Sequence, residues 1–213
     1  MGFGPRYRVS HRRNRTGKTD YRSRMKLLLS GKPRLVVRTT SKRIITQVMK
    51  YSERGDIVIA ACDSRDLQDF GWKGGTANMP AAYLTGLLCG RMSVEQGVKE
   101  CIFDVGLVKP LARSNIFAVL KGAIDGGLEM PHSEESLPSE DRLKGVHIAN
   151  YAGVLKTDKK QPIFSEYKKR GIDPKDVPKQ FDVVKNNILK TGKEIKTAKA
   201  KQKRADKGKK PRL

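Results

Sequence analysis

Two basic ends enclose a neutral middle, and that distribution limits what the chain can build. Residues 1–43 hold fourteen Lys or Arg against one acid, Asp20, a net charge of +13. Residues 185–213 hold twelve against Glu194 and Asp206, a net charge of +10. Residues 44–184 carry nineteen of each sign, so the whole +23 sits at the two ends. Charge placed this way disfavours a compact state by self-repulsion, and a polyanion relieves it. The core therefore has to come from the middle, and its task is to hold two basic ends in position. Hydrophobic content is only 37%, but the deficit lies in the ends, and residues 35–124 suffice to close a core.

The charge points to nucleic acid first and an anionic membrane surface second. The membrane reading is weak, because no apolar run approaches the roughly 20 residues of a spanning helix. Arg6 and Arg8 stand where a signal peptide would begin its apolar region. Met1-Gly2 is followed by Arg6 where a myristoylation signal needs Ser or Thr. Cys62, Cys89 and Cys101 lie in apolar stretches with no CxxC spacing, which argues for buried thiols in a reducing compartment. His11, His132 and His147 are far apart and have no Cys nearby, a poor pattern for zinc. No cofactor or metal is expected.

Residues 1–31 read as a basic arm. Its cations are interleaved with Phe3, Tyr7 and Tyr21, a mixture that suits RNA loops, where rings stack on bases while Arg and Lys hold phosphates. A disordered solubilising tail is the bland alternative. Residues 32–128 read as an α/β core. Leu35-Val-Val37 with Arg38-Thr39, and Ile44 to Tyr51, form an antiparallel hairpin about a short turn at Thr39 to Lys42. Ile57 to Cys62 is a continuous apolar run, which predicts a strand covered on both faces.

The loop from Asp63 to Ala77 holds Trp72-Lys73-Gly74-Gly75. Core packing is the default for Trp72, and stacking on a base is the sharper reading. The glycines would let backbone N–H groups reach a phosphate, although the GK[ST] ending of a Walker loop is missing. Asn78 caps a helix with Pro80 in its first turn, an apolar face of Ala81, Leu84, Leu88 and Met92, and an end by Gly97. Its second stripe, Ala82, Gly86 and Gly90, permits close backbone approach, most simply to the sheet. Cys101 to Val105 is a strand, and strand–helix–strand implies a parallel pair. Ser114 caps a further helix with a face of Phe117, Leu120 and Ile124, ended by Gly126-Gly127.

Residues 129–190 read as a helical C-terminal extension. A proline-bounded acidic linker is followed by one helix from Ser139 through Tyr151, then short helices over Phe164 to Arg170 and Phe181 to Leu189. With so few apolar residues, these have to dock on something. Residues 191–213 are a lysine-rich tail without aromatics.

Several segments together carry a resemblance. Gly4-Pro-Arg-Tyr-Arg-Val9, Gly17-Lys-Thr-Asp-Tyr-Arg22, Leu27 through Arg38, Gly71-Trp72 and Pro80 through Leu88 resemble the archaeal-type large-subunit ribosomal protein family L-eighteen, called L-five in eukaryotes. So do Leu120-Lys-Gly122, Pro131 through Glu135 and His147-Ile-Ala-Asn-Tyr151. The match spans roughly residues 4–190 and keeps the family's order; the lysine tail matches in composition alone. The resemblance implies a mixed sheet with helices on both faces, related to the ribonuclease H arrangement. It also implies a cytoplasmic structural protein that binds 5S rRNA and anchors it to 23S rRNA, beside neighbouring proteins of the central protuberance.

Read from the residues, the phosphate candidates are Arg6, Arg8, Arg12, Arg13, Arg15, Lys18, Arg22, Arg24 and Lys26. Tyr7 and Tyr21 are the stacking candidates. Arg34, Arg38 and Lys42 would extend the basic surface along the first hairpin, with Trp72 and Lys73 on the loop beyond it. An RNA-binding assembly factor outside the ribosome shares every physical feature. A ribonuclease H-like nuclease is the rival from another class, and it needs clustered strand-end carboxylates for two Mg²⁺. Only Asp63 and Asp104 end strands, and the first strand carries cations, so no catalysis is expected.

Overall fold

The structure, a computed structural model, describes residues 4, 5, 7–155 and 164–190. Phe3, Arg6 and the lysine tail lie outside the described residues. The arm contains two short helices, α1 (Arg12–Arg15) and α2 (Tyr21–Leu28), neither with a buried residue. The core is a four-stranded sheet of β1 (Arg34–Thr39), β2 (Ile44–Lys50), β3 (Ile57–Asp63) and β4 (Ile102–Asp104), in the order β3-β2-β1-β4. The hairpin pairs antiparallel as expected, with Leu35 opposite Val48 and Val37 opposite Thr46. Its turn closes where Thr40 N–H donates to Arg43 O at 2.8 Å. The parallel pair expected of strand–helix–strand exists, but β4 adds beside β1 and not beside β3.

Helix α3 (Met79–Glu95) packs on β2 and β3, and α4 (Asn115–Asp125) lies beside α3 and reaches β1. Asn78 caps α3 as its sequence predicts, accepting from Ala81 N–H at 3.1 Å. Helix α3 is buried nearly all round, and two of its polar side chains turn back on their own helix. Thr85 donates to Ala81 O at 2.6 Å and Ser93 to Cys89 O at 2.7 Å. This satisfies hydroxyls that would otherwise be buried without a partner.

The small-residue stripe of α3 meets α4 and not the sheet. A Cβ on Gly86 would collide with Val119 O, and one on Gly90 would come within 2.7 Å of Ala123 O. The fit is reciprocal, since a Cβ on Gly122 would collide with Tyr83 O. Consequently the buried face of α4 is Ile116, Ala118, Val119, Leu120, Gly122 and Ala123, with Phe117 and Ile124 only partly covered.

Strand β3 also departs from expectation. Its apolar run predicted cover on both faces, yet Ile57 is 57% and Val58 45% exposed. The strand lies at the sheet's edge, and a register shift at Val48/Met49 bends the pairing beside it. Apolar runs and buried strands correlate, but an edge strand that buries Ala60 and Cys62 and only part of Ile59 has the same composition.

The extension is built from α5 (Glu140–Lys144), α6 (Val146–Val154), α7 (Ser165–Lys169) and α8 (Val177–Lys190). The single helix expected from Ser139 to Tyr151 breaks at Gly145, whose φ of +81° is left-handed. A Cβ there would lie 2.9 Å from Pro80 Cγ and 3.0 Å from Val177 Cγ1, so the break lets the chain turn against α3 and α8. Helix α8 docks through Val177, Phe181, Val184 and Ile188. Each such burial stabilises by about 1.5–3 kcal/mol. These residues share one hydrophobic cluster with Leu35, Leu84 and Trp72, so the cluster runs past residue 128 without a break.

Candidate RNA-binding surface

The arm is organised by its one acid. Asp20 caps α2, accepting from Arg22 N–H at 2.9 Å, Ser23 N–H at 3.4 Å and the Ser23 hydroxyl at 2.6 Å. The Ser23 hydroxyl, then the two backbone N–H groups, hold its carboxyl below the usual carboxylate value. The carboxylate is thus held in its charged form at the helix N-terminus, where the helix dipole favours negative charge. Upstream, Arg13 Nε donates to Thr19 Oγ1 at 2.9 Å, which folds the segment between α1 and α2 back on itself. Tyr7, Arg8, Arg12, Arg13, Arg15, Lys18, Arg22 and Lys26 are all exposed on this arm. Tyr21 is half-buried against the His11 ring, with centroids 5.0 Å apart, so it is the less available of the two tyrosines.

The structure takes the candidates beyond the arm apart. Arg34 is 3% exposed and cannot reach a phosphate. Its Nη1 donates to Asp104 Oδ2 at 2.8 Å and its Nη2 to Asp56 Oδ2 at 2.7 Å. Arg24 turns inward as well, with Nη2 3.0 Å from both oxygens of Asp56. Arg38 donates to Val37 O at 2.7 Å and faces Asp104 Oδ1 at 3.4 Å, but its side chain remains 42% exposed. Lys42 and Lys73 are exposed.

Trp72 lies in the core at 2% exposure and donates its indole N–H to Gly75 O at 3.0 Å. Its ring offers no free face, so core packing is the reading observed. The glycines serve that packing. A Cβ on Gly74 would lie 2.6 Å from the indole Cζ2. The extension then covers the loop: Arg170 donates to Gly74 O at 2.6 Å, Gln180 to Gly71 O at 3.0 Å and Asn187 to Phe70 O at 3.1 Å. The expectation of a phosphate cradle at Gly74-Gly75 fails because Gly74 is buried against the Trp72 ring and its carbonyl is taken by Arg170.

The nuclease geometry is not assembled either. Asp63 and Asp104 sit on β3 and β4, at opposite edges of the sheet. Three strand spacings separate them by roughly 14 Å, against about 4 Å between the ions of a two-metal site. Each is also engaged by a guanidinium, Asp63 by Arg43 at 3.2 Å and Asp104 by Arg34 and Arg38.

The acids that decide which arginines stay free, Asp56 and Asp104, were not foreseeable as partners. They lie 22 and 70 residues from Arg34, and the pairing depends on how β1 and β4 are registered. The sequence also hides a second basic patch. A cleft of about 350 Å³ between the loop before α4 and α5 is lined by Lys109, Arg113 and Arg142, with the exposed Val108 and Leu111.

Comparison with known proteins adds independent support. Residues 5–98 and 92–133 match the family model described as ribosomal large subunit proteins 60S L5 and 50S L18. The chain is similar to the large ribosomal subunit protein uL18 of Methanothermobacter thermautotrophicus. The two are 46% identical over 188 residues, which covers 88% of this chain and 98% of that protein.

Proposed function

We propose, because this chain belongs to the family of ribosomal large subunit proteins 60S L5 and 50S L18, that it binds 5S rRNA and anchors it to 23S rRNA in the central protuberance. As a family member it is a structural component of the large ribosomal subunit, a ribonucleoprotein working in translation in the cytoplasm. Its neighbours in the protuberance are other large-subunit proteins. The observation that carries the RNA reading is the arm: Arg8, Arg12, Arg13, Arg15, Lys18, Arg22 and Lys26 are exposed together, and residues 1–43 contain one acid, Asp20, against fourteen cations.

The mechanism is electrostatic and positional. Exposed arm cations displace condensed counterions from phosphates, which supplies affinity but no sequence preference. Arg adds bidentate phosphate contact and stacking, and Tyr7 offers a ring to an unpaired base. Lys42, Lys73 and the exposed side of Arg38 extend the surface onto the core. The lysine tail adds affinity through point charges. No step of this mechanism needs catalysis.

The test is a salt titration with isolated 5S-type RNA. If about seven arm cations meet phosphates, log K falls with log salt at a slope of roughly −5 to −6. A flat response between about 50 and 300 mM salt rules out the counterion mechanism. Sizing the RNA that copurifies with the protein from its source separates the ribosomal reading from an assembly factor that binds some other RNA.

A further inference from the structure

We propose that Asp56 is a positioning residue: it fixes the basic arm on the sheet before RNA arrives, by holding Arg24 of α2 and Arg34 of β1 at once. This rests on the RNA-binding reading of the arm.

Helix α2 has little else to hold it. It is eight residues long, and none of them is buried. Isolated helices shorter than about 12 residues are marginal in water. Its Asp20 cap ties it only to itself. Its half-buried face is Tyr21, Arg24, Leu27 and Leu28, while Met25 and Leu29 are exposed. Among the described residues 4–31, the hydrogen bonds other than those of Arg24 close within the arm or onto the adjoining Lys32. Among the described residues of the arm, the contact of Arg24 with both carboxylate oxygens of Asp56 is therefore a polar link to the core.

Asp56 is itself held rigidly. It follows a turn in which Gly55, at φ +135°, donates its N–H to Ser52 O at 3.0 Å. Its side chain is 17% exposed, and Arg34 reaches it at 2.7 Å from within the sheet. Arg34 continues to Asp104, and Asp104 to Arg38 and to Gly106 N–H at 2.9 Å. The line of charges thus runs from α2 across β1 to the loop after β4. Charge-assisted bonds in partly desolvated surroundings are strong and directional. Because Arg24 is drawn inward, Arg22 and Lys26, two residues to either side, stay exposed. A segment ordered before binding does not have to be ordered during it, which raises affinity without any new contact.

The positioning role makes a prediction opposite in sign to simple electrostatics. Asp56→Asn keeps shape and removes one negative charge from the most basic part of the protein. Charge alone predicts tighter RNA binding. Positioning predicts that affinity for 5S-type RNA falls about tenfold while the salt slope is kept, since the phosphate contacts are the same once bound. In the free full-length protein, hydrogen exchange of the α2 amides should accelerate about tenfold or more. Asp56→Glu should restore part of this protection. Should Asp56→Asn fail to fold because Arg34 loses a partner, Arg24→Met cuts the arm link and leaves the Asp56–Arg34 pair intact. Its α2 amides should lose protection in the same way while the unfolding midpoint of the core holds. Unchanged α2 exchange in these variants, or tighter RNA binding by Asp56→Asn, overturns the inference. Failure of the unsubstituted protein to bind 5S-type RNA would instead overturn the functional reading and leave the exchange result standing.

Discussion

Gly86 lies so close to the main chain of Val119 that a Cβ on the glycine would collide with the Val119 carbonyl oxygen. Helices α3 and α4 are in backbone contact there, and the pairing is reciprocal through Gly122 and Tyr83. Neither side of the contact has a flexible side chain to move aside. Gly86→Ala and Gly122→Ala should each destabilise the fold by about 1–3 kcal/mol or more, despite the higher helix propensity of Ala. Urea unfolding reads this as a lower midpoint with the slope kept.

Phe181 should be the costliest truncation in the extension. It is 2% exposed and its ring lies 5.4 Å from that of Tyr83 on α3. Phe181→Ala removes that ring from the shared cluster and should cost about 3–5 kcal/mol. Because α8 shares its cluster with the sheet, fluorescence of the buried Trp72 and far-UV circular dichroism should shift together in one transition.

Deleting residues 1–26 should leave the core folded and weaken RNA binding severely. Neither α1 nor α2 contributes a buried residue, and Asp56 keeps Arg34 when Arg24 is gone. Loss of the cooperative unfolding transition would show that the arm belongs to the core. Deleting residues 191–213 should lower affinity less and preserve the preference for 5S-type RNA over an unrelated RNA of equal length. The tail is almost all Lys and has no aromatic residue, so it lacks the means to discriminate.

Acid should unwind the arm's helix separately from the core. The folded-state pKa of Asp20 is lowered from the ordinary 3.8 by Ser23 and Arg22. The cap's contribution is therefore complete above that ordinary value and is lost as pH falls through the depressed one. The amide signals of Arg22 and Ser23 should hold their neutral-pH shifts down to about pH 4 and move below it. Asp20→Ala should show the uncapped shifts already at neutral pH, with no acid transition of its own.

Local patterns were legible in proportion to how local their causes are. The Asn78 cap, the hairpin at residues 39–42 and the left-handed Gly127 follow from side-chain reach and backbone sterics within a few residues. The exposed arm was legible because a run of cations cannot be buried. Less local readings needed correction. The Ala82, Gly86, Gly90 stripe announced a close approach and suggested the sheet as its partner, but the partner is α4. Ile57 to Cys62 announced a strand correctly but implied cover on both faces, whereas the strand sits at an edge with Ile57 and Val58 exposed.

From its residues alone, the chain can be divided into basic ends and a neutral α/β middle, and its net charge of +23 demands an anionic partner. Those properties are sums and short-range periodicities, which folding does not change. Which cations remain free to meet that partner is a different kind of fact. Arg22 and Arg24 are two positions apart and chemically identical, yet one is exposed and the other is bound to Asp56. Arg34 and Arg38 share a strand, yet Arg34 is buried between two carboxylates. Tertiary structure made these distinctions, because a carboxylate neutralises the guanidinium that packing brings within about 3 Å of it, however far apart the two lie in the chain.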